Sequence, residues 1–208
     1  MDSCYTPPQI LIGVNSNAWV STSPLVKTYT LEEFWELPEP PDHSKLELIA
    51  GVLYMTLPPE YPHSEVVSSL MRLLMEHQIK IGDKGRIYFP RAGIVRAPKT
   101  WLEPDLFYVA AERARCDPEY PQYLSTDDLV IEVISTSSAI YDRNTKADTY
   151  AALGVKELWL VDAELGIIEV RKLEGERYAP SVVLEREDFL KSLVLAGFEV
   201  KTDEVFQD

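Results

Sequence analysis

An apolar run of six residues, Leu129–Ile134, is interrupted once, by Glu132. The length of the run and its branched residues predict a strand buried on both faces, since a strand with one wet face would alternate apolar and polar side chains. A carboxylate in such a strand is costly unless a cation, a metal or hydrogen-bond donors compensate it. Three interpretations are open: a solvent-facing Glu132 on a one-sided strand, a structural pair with Arg or Lys, and a functional site.

Hydrophobic periodicity divides the rest of the chain into helices and strands. The predicted elements are a short helix capped by Thr30, a strand or hairpin turning at Ala50-Gly51, helices over about His63–Ile81 and Ile140–Leu153, strands over Arg86–Phe89, Gly93–Ala97, Asp105–Val109, Leu129–Ile134, Glu157–Asp162 and Ile167–Lys172, and a short helix near Glu187–Leu193. This order indicates a single α/β or α+β domain, in which a mixed β-sheet is flanked by α-helices. With 208 residues, 46% of them apolar, the chain can bury one substantial core.

Composition limits the class of protein further. The first 28 residues are rich in Pro, Asn and Ser, and we expect them to form an N-terminal arm ahead of a domain over residues 29–208. Two cysteines, Cys4 and Cys116, cannot build a disulfide framework. No basic, apolar signal segment and no membrane-spanning run are present. The sequence therefore predicts a cytoplasmic protein that does not enter the membrane.

Two further charged residues favour the functional interpretation of Glu132. Asp105 opens the strand before it, and Lys146 lies on the helix after it, with Asp142 and Tyr150 four residues to either side on one helical face. An exposed Asp142–Lys146 pair would be commonplace and worth about 0.3–0.5 kcal/mol. The ordered set of two strand acids and a lysine is harder to explain as surface chemistry, and it favours a functional site.

The order of several motifs resembles the Uma-type endonuclease family of the PD-(D/E)XK restriction-endonuclease-like superfamily. The likeness covers about Tyr29 to Phe206, and it depends on the succession of motifs more than on any one of them. The segments that carry it are Lys45–Val52, His63, Glu103-Pro104-Asp105, Ile131–Ser135, Asp142 with Lys146 and Tyr150, and Gly154–Asp162.

The resemblance implies a restriction-endonuclease-like fold and a site built from four residues. Asp105 and Glu132 match the superfamily's metal-binding acids. The superfamily's lysine would stand at Ile134, so the resemblance transfers that role to Lys146 on the following helix. Glu47 matches an additional acid that can support the metal, and a plain salt bridge at a strand edge is the alternative interpretation of Glu47. Magnesium, with manganese as a substitute, is the implied cofactor, because Mg²⁺ prefers one or two carboxylates plus waters.

The net charge of −14 repels polyanions on average, but the charge is uneven. Between Lys84 and Leu102 there are five basic residues and no acid, and we expect Arg86, Arg91, Arg96 and Lys99 to contact a phosphate backbone if this segment forms a hairpin beside the metal site. Tyr88, Phe89 and Trp101 would be available for base stacking there, and a solvated hairpin is the alternative.

The leading hypothesis is therefore a metal-dependent endonuclease acting on DNA, with RNA not excluded as a substrate. We expect a homodimer, because paired sites would engage both strands of a duplex. The alternative is a catalytically inactive binding or assembly module that keeps the nuclease fold. A weaker third hypothesis is a protein whose partner is another protein, contacted through the N-terminal arm.

Overall fold

The computed structural model describes residues 27–90, 92–113, 119, 128–135 and 138–206. The helical elements in this part of the chain are Leu31–Trp35 (α1), Tyr61–Ile81 (α2), Ala139–Tyr141 (α3), the π-turn Asp142–Lys146, Ala147–Leu153 (α4) and the 3₁₀ turn Thr202–Val205. The strands are Lys45–Ile49 (β1), Val52–Thr56 (β2), Arg86–Tyr88 (β3), Ile94–Arg96 (β4), Thr100–Leu102 (β5), Leu106–Val109 (β6), Leu129–Ile134 (β7), Glu157–Asp162 (β8), Ile167–Glu174 (β9), Arg177–Tyr178 (β10), Val182–Leu184 (β11), Phe189–Lys191 (β12) and Glu199–Lys201 (β13).

A mixed sheet forms the centre of the fold. Its strand order is β10-β9-β8-β7-β6-β3, and β11 also pairs with β9. Strands β7 and β8 are parallel, while the other neighbours are antiparallel. A parallel pair needs a crossover connection, and here α3, the π-turn and α4 provide it. A smaller antiparallel sheet, β2-β1-β5-β4, and a β12-β13 ribbon complete the structure. The expected fold class, a mixed sheet flanked by helices, is confirmed.

The central sheet is covered on both faces. Because strand side chains alternate between faces, Leu106 and Ile131 contact α2 on one side, whereas Phe107 and Val130 contact α4 and the smaller sheet on the other. All six residues of β7 are buried, as the apolar run predicts. Glu132 is therefore not a solvent-facing residue of a one-sided strand, and its charge is handled inside the protein.

Local signals explain the ends of several elements. Helix α2 starts at Tyr61, two residues before the expected start, since Pro62 fits the first helical turn, and it ends at Gly82 in the left-handed conformation. The β1-β2 hairpin turns through Ala50 and Gly51, whose φ angles of 49° and 84° are those of a type I′ turn. Gly51 accommodates this conformation without the steric cost that a side chain would add.

Three sequence expectations need correction or lie outside the described residues. The helix expected near Glu187–Leu193 is wrong: Phe189–Lys191 is a strand paired with Glu199–Lys201, and only its central residue, Leu190, is buried. Strand β5 between Thr100 and Leu102 was not anticipated, and the helix expected over Ile140–Leu153 is interrupted by the π-turn. The N-terminal arm is outside the described residues except for its last two positions. None of the helices in the described ranges is long and apolar enough to cross a bilayer.

Candidate metal site

The register of the central sheet brings Asp105 beside Glu132. Leu106 is paired with Ile131 in the antiparallel β6-β7 ladder, so Asp105, one residue earlier, comes opposite Glu132 on the same face of the sheet. The carboxylate Oδ2 of Asp105 accepts a hydrogen bond from the backbone N–H of Val133 at 2.8 Å. Both acids are buried, and they face the side of the sheet that α4 covers.

Lys146 enters this space from the π-turn. Its side chain is only 1% exposed, and its ammonium nitrogen lies 2.5 Å from Glu132 Oε1, 3.2 Å from Glu47 Oε2 and 3.6 Å from Asp142 Oδ1. The Asp142–Lys146 pair is thus not a solvated helical pair. The structure brings Glu47, Glu132 and Lys146 together in one buried cluster, in which Asp142 also takes part.

The position two residues after Glu132, where the superfamily has its lysine, belongs to the core in this chain. Ile134 is 1% exposed and belongs to the same apolar cluster as Ala147 and Tyr150 of α4. The Tyr150 hydroxyl donates to Glu132 Oε1 at 2.6 Å. The helix that covers Ile134 therefore also supplies the amine and a hydroxyl that contact Glu132.

An ionic network on β8 and β9 holds the π-turn. The Nε atom of Arg143 donates to Glu169 at 2.6 Å, and its guanidinium also lies 3.3 Å from Asp162. Arg171 Nη1 donates to the backbone carbonyl of Arg143 at 2.7 Å, and Arg171 also pairs with Glu169. Because Arg143 lies within the turn that carries Lys146, this network fixes the turn against the sheet.

Two residues that we did not assign to the site surround Asp105. Lys45 Nζ lies 3.9 Å from Asp105 Oδ1, and it donates to the backbone carbonyl of Glu103 at 2.8 Å. His63, in the first turn of α2, has its Nε2 atom 3.1 Å from Asp105 Oδ2. The sequence places Lys45 on the same strand face as Glu47, two residues away, but it does not predict the contact of Lys45 with Asp105.

Glu47 is mainly a partner of other protein groups. Its Oε1 atom accepts from the backbone N–H of Glu103 at 2.9 Å, while Oε2 faces both Lys146 and the Tyr141 hydroxyl, the latter at 3.4 Å. The resulting ion pair is buried, which differs from the strand-edge salt bridge considered above.

The charges of the cluster do not cancel. When all are ionised, four carboxylates face two ammonium groups and leave two negative charges; these groups are Glu47, Asp105, Glu132, Asp142, Lys45 and Lys146. Burial raises the pKa of Glu132 to about 7, although Lys146 and Lys45 favour its charged form. For Asp105 burial acts in the same direction, but Lys45 and the hydrogen bond to His63 outweigh it and lower the pKa to about 2.

The pKa of Lys146 is shifted in the opposite sense to the usual effect of burial. Burial alone would lower it, but the charges of Glu132, Glu47 and Asp142 hold it well above its ordinary value. Lys146 is therefore an ammonium ion at neutral pH. Burial raises the pKa of Glu132 to about 7, so this carboxyl titrates close to neutrality beside the Lys146 ammonium.

A cavity of about 340 Å³ opens onto the cluster and is lined by Asp105, Glu132 and Lys146, with Lys45 and His63 at its wall; this is the metal-site cavity. Across the described ranges, no group of three or more His, Cys, Asp and Glu side chains forms a metal cage. Two adjacent carboxylates on rigid strands, in a cluster with excess negative charge, nevertheless fit Mg²⁺, which binds to one or two carboxylates and keeps waters or phosphate oxygens as its other ligands.

The basic segment does not form one hairpin beside this cavity. Arg86 belongs to β3 and stands opposite Val109, at the far end of β6 from Asp105, whereas Arg96 lies on β4 of the smaller sheet. Arg91 is outside the described residues. Arg86, Arg96 and Lys99 are not among the residues that line the metal-site cavity, so a phosphate contact by them stays a prediction.

The aromatic side chains of that segment also differ from the expectation. Trp101 is 6% exposed and belongs to the core under the smaller sheet, so it does not offer a face to a base. Tyr88 is stacked on Phe107, with the ring centroids 4.9 Å apart. Phe89 is exposed. Trp101 and Tyr88 pack against other side chains because the half-buried surface of a pleated strand favours aromatic residues.

In the mixed sheet, Asp105 stands directly before β6, Glu132 lies within the adjacent β7, and Lys146 comes from the crossover between β7 and β8. The chain belongs to the Uma2 family, described as "Putative restriction endonuclease", whose model matches residues 31–203. A crystal structure of "a putative nuclease belonging to DUF820" from Anabaena variabilis is similar, with a TM-score of 0.69 at 18% identity, covering 86% of this chain and 97% of that chain. No curated protein matches the sequence. Family membership supports a nuclease function, and the structural likeness confirms the fold.

Proposed function

We propose that this protein is a magnesium-dependent endonuclease that hydrolyses phosphodiester bonds in DNA. The observation that carries the proposal is the buried cluster around Asp105, Glu132 and Lys146, which has an excess of two negative charges once Glu132 has released its proton and then matches a divalent cation. Asp105 and Glu132 would hold the ion, and manganese would be accepted in place of magnesium because it too suits carboxylate and water ligands. Lys146 and Glu47 complete the site.

Each side chain has a distinct part in this proposal. A bound divalent cation supplies positive charge to the phosphate and lowers the pKa of a water molecule. Lys146, held as an ammonium ion by its acidic neighbours, donates hydrogen bonds that orient water and stabilise negative charge on the phosphoryl oxygens. Its high pKa favours this part over that of a proton acceptor.

Glu47, Tyr150 and His63 act as positioning residues. Glu47 accepts from Lys146 and restricts where the ammonium group can lie. The Tyr150 hydroxyl and the ammonium of Lys146 both bind Glu132 Oε1, which fixes the orientation of that carboxylate. The Nε2 atom of His63 forms a hydrogen bond with Asp105 Oδ2 and restricts the orientation of that carboxylate. A site fixed to this degree meets the requirement that catalytic groups be held in place before the substrate arrives.

The test combines metal binding with cleavage. Isothermal titration with Mg²⁺ and incubation with supercoiled DNA would compare the wild type with Asp105→Asn and Glu132→Gln. We expect the wild type to bind Mg²⁺ and to nick DNA, and both variants to lose the two properties. Asp128→Asn is the matched control, because Asp128 is a buried acid at the opposite end of β7. Metal binding that is negligible in the wild type, or equal in the wild type and both variants, would contradict the proposal.

The partners expected from the sequence belong to the same proposal. DNA is the proposed substrate, and cleavage of matched RNA and DNA oligonucleotides would decide between the two. The homodimer would be tested by sedimentation equilibrium with and without duplex DNA. The proposed phosphate contacts would be tested by glutamine substitutions at Arg86, Arg91, Arg96 and Lys99. If these residues contact phosphates, the substitutions should lower the salt dependence of DNA binding. The cytoplasmic location stays a prediction from the sequence.

A further inference from the structure

A second cavity, of about 430 Å³, adjoins the metal-site cavity. The two cavities share part of their lining, namely His43, Lys45, Pro59 and Pro90. The second cavity then extends toward α1 and is walled by Phe34, Trp35 and Trp101 and by further prolines. We call it the Trp35 cavity. A molecule that reaches Asp105 and Glu132 can therefore extend into it without leaving the protein surface.

The indole of Trp35 is the main aromatic surface of this cavity. It is 36% exposed, and it meets the buried Trp101 ring edge to face, with centroids 6.1 Å apart and planes at 81°. Trp101 is held in turn by a hydrogen bond from its Nε1 to Glu103 at 3.1 Å. The Trp35 ring is thus supported from below while more than a third of its residue surface is accessible.

Lys45 stands between the two cavities. Its ammonium group lies 3.9 Å from Asp105 and donates to the Glu103 carbonyl, at the boundary that both cavities share. A cation at this place suits a phosphate that joins one group at the metal site to another in the Trp35 cavity. Aromatic and proline walls, the side chains of Glu39 and Glu103 in the lining and a cation at the boundary match a nucleotide, which has an aromatic ring, polar edges and a phosphate, better than an apolar peptide side chain.

From these contacts we infer that the Trp35 cavity binds one unpaired nucleobase of the strand whose phosphate lies at the metal site. This inference rests on the proposed nuclease function. A base stacked inside a duplex cannot enter a walled cavity, so the occupant is a base in a single strand or one turned out of the helix. Stacking on Trp35 would supply the binding.

The test uses two fluorescently labelled octamers of equal charge, one of thymidine and one in which every base is replaced by an abasic tetrahydrofuran. Binding is measured by anisotropy in EDTA and again with Mg²⁺ while gels show the octamers intact. We expect the wild type to bind the thymidine octamer about ten-fold more tightly than the abasic one. Trp35→Ala should remove this preference, and Trp35→Phe should keep most of it. Phe189→Ala is the matched control, since Phe189 is an exposed aromatic residue that lines neither cavity.

The outcomes separate this inference from the proposed function. Equal binding of both octamers by the wild type, or an undiminished preference in folded Trp35→Ala, would overturn the base-binding cavity. If such a protein still nicks DNA with Mg²⁺, the nuclease proposal stands alone. If the protein prefers the thymidine octamer through Trp35 but does not cleave DNA, the base-binding cavity is supported and the nuclease proposal is contradicted.

Discussion

Lys146 Nζ lies 2.5 Å from Glu132 Oε1, and both side chains are almost completely excluded from water. The two residues come from different elements, a π-turn and a central strand, and Glu132 would be an uncompensated buried charge without this contact. The ammonium group of Lys146 therefore stabilises a carboxylate that an apolar strand would otherwise leave without an opposite charge. The contribution of this contact to the free energy of unfolding can be measured by mutation.

Removal of Lys146 should destabilise the protein strongly. Lys146→Met leaves Glu132, Glu47 and Asp142 without their shared cation, and loss of one partner of a buried ion pair costs about 3–5 kcal/mol. Urea unfolding at neutral pH without metal measures the change. The double variant Lys146→Met with Glu132→Gln should recover part of the loss, because the stranded charge is then removed; equal losses in the single and double variants would contradict the coupling.

An exposed ion pair serves as the control for that measurement. Lys191 and Glu199 are 2.9 Å apart on the β12-β13 ribbon, with side chains 64% and 50% exposed. Lys191→Met should change the free energy of unfolding by less than about 1 kcal/mol, since solvent screens the pair. A similar loss in both variants would show that burial is not the reason for the effect.

Magnesium affinity should depend on pH because a proton competes for Glu132. With the pKa of Glu132 raised to about 7, the carboxyl is largely protonated below neutrality, and binding of Mg²⁺ must release that proton. We expect the affinity to rise about ten-fold per pH unit below pH 7 and to level off above it. Titration calorimetry in two buffers of different ionisation enthalpy would detect the released proton; a flat profile across neutrality would speak against Glu132 as a ligand.

The stability of the metal-free protein should also depend on the protonation of Glu132, but it should fall, not rise, with increasing pH. A carboxyl whose folded pKa lies above its unfolded value stabilises the fold fully below the unfolded pKa, and it loses that contribution as the pH rises through the folded pKa. For Glu132 the window runs from the ordinary glutamate pKa of 4.5 to a pKa of about 7 in the folded protein. Urea midpoints should therefore fall across this window in the wild type, and Glu132→Gln should flatten the decline.

The network behind the π-turn should control catalysis without touching substrate. Arg171→Met removes the bond to the Arg143 carbonyl and loosens the turn that carries Lys146. We expect kcat for DNA cleavage to fall by about ten- to a hundred-fold with little change in KM, because a small displacement of a catalytic group is costly. Hydrogen exchange over Asp142–Lys146 should become faster. Lys172→Met, on the neighbouring exposed position of β9, should leave both properties unchanged.

The sequence was sufficient to predict the parts of the fold that local pattern decides. The unbroken apolar run around Glu132 indicated a strand buried on both faces, and the spacing of Leu70 and Leu74 indicated α2. The segment Phe189–Lys191 was misinterpreted because its three residues fit either period, and only pairing with β13 makes them a strand. Pairing of this kind is a tertiary property that local propensity does not carry.

The two acids of the candidate site could be singled out from the sequence, whereas most of the side chains and elements around them could not. Asp105 and Glu132 stand out in the sequence as acids in or beside apolar strand segments, and the roles proposed for them and for Lys146 come from the resemblance to a family. The π-turn has no clear sequence signature, and Lys45 reaches Asp105 only because the smaller sheet closes against the central one. Groups brought together from separate sheets depend on the completed fold.

The π-turn before α4 separates the position of the amine from the packing of the core. Such a turn is an α-helical turn with one residue inserted, so deletion of one residue within it restores a regular α-helix and leaves Ala147 and Tyr150 in the apolar cluster. The residues of the turn itself change place, and with them the ammonium group of Lys146. A descendant with a one-residue deletion here can therefore keep the fold and lose the amine, so inheritance of the fold does not by itself carry the site.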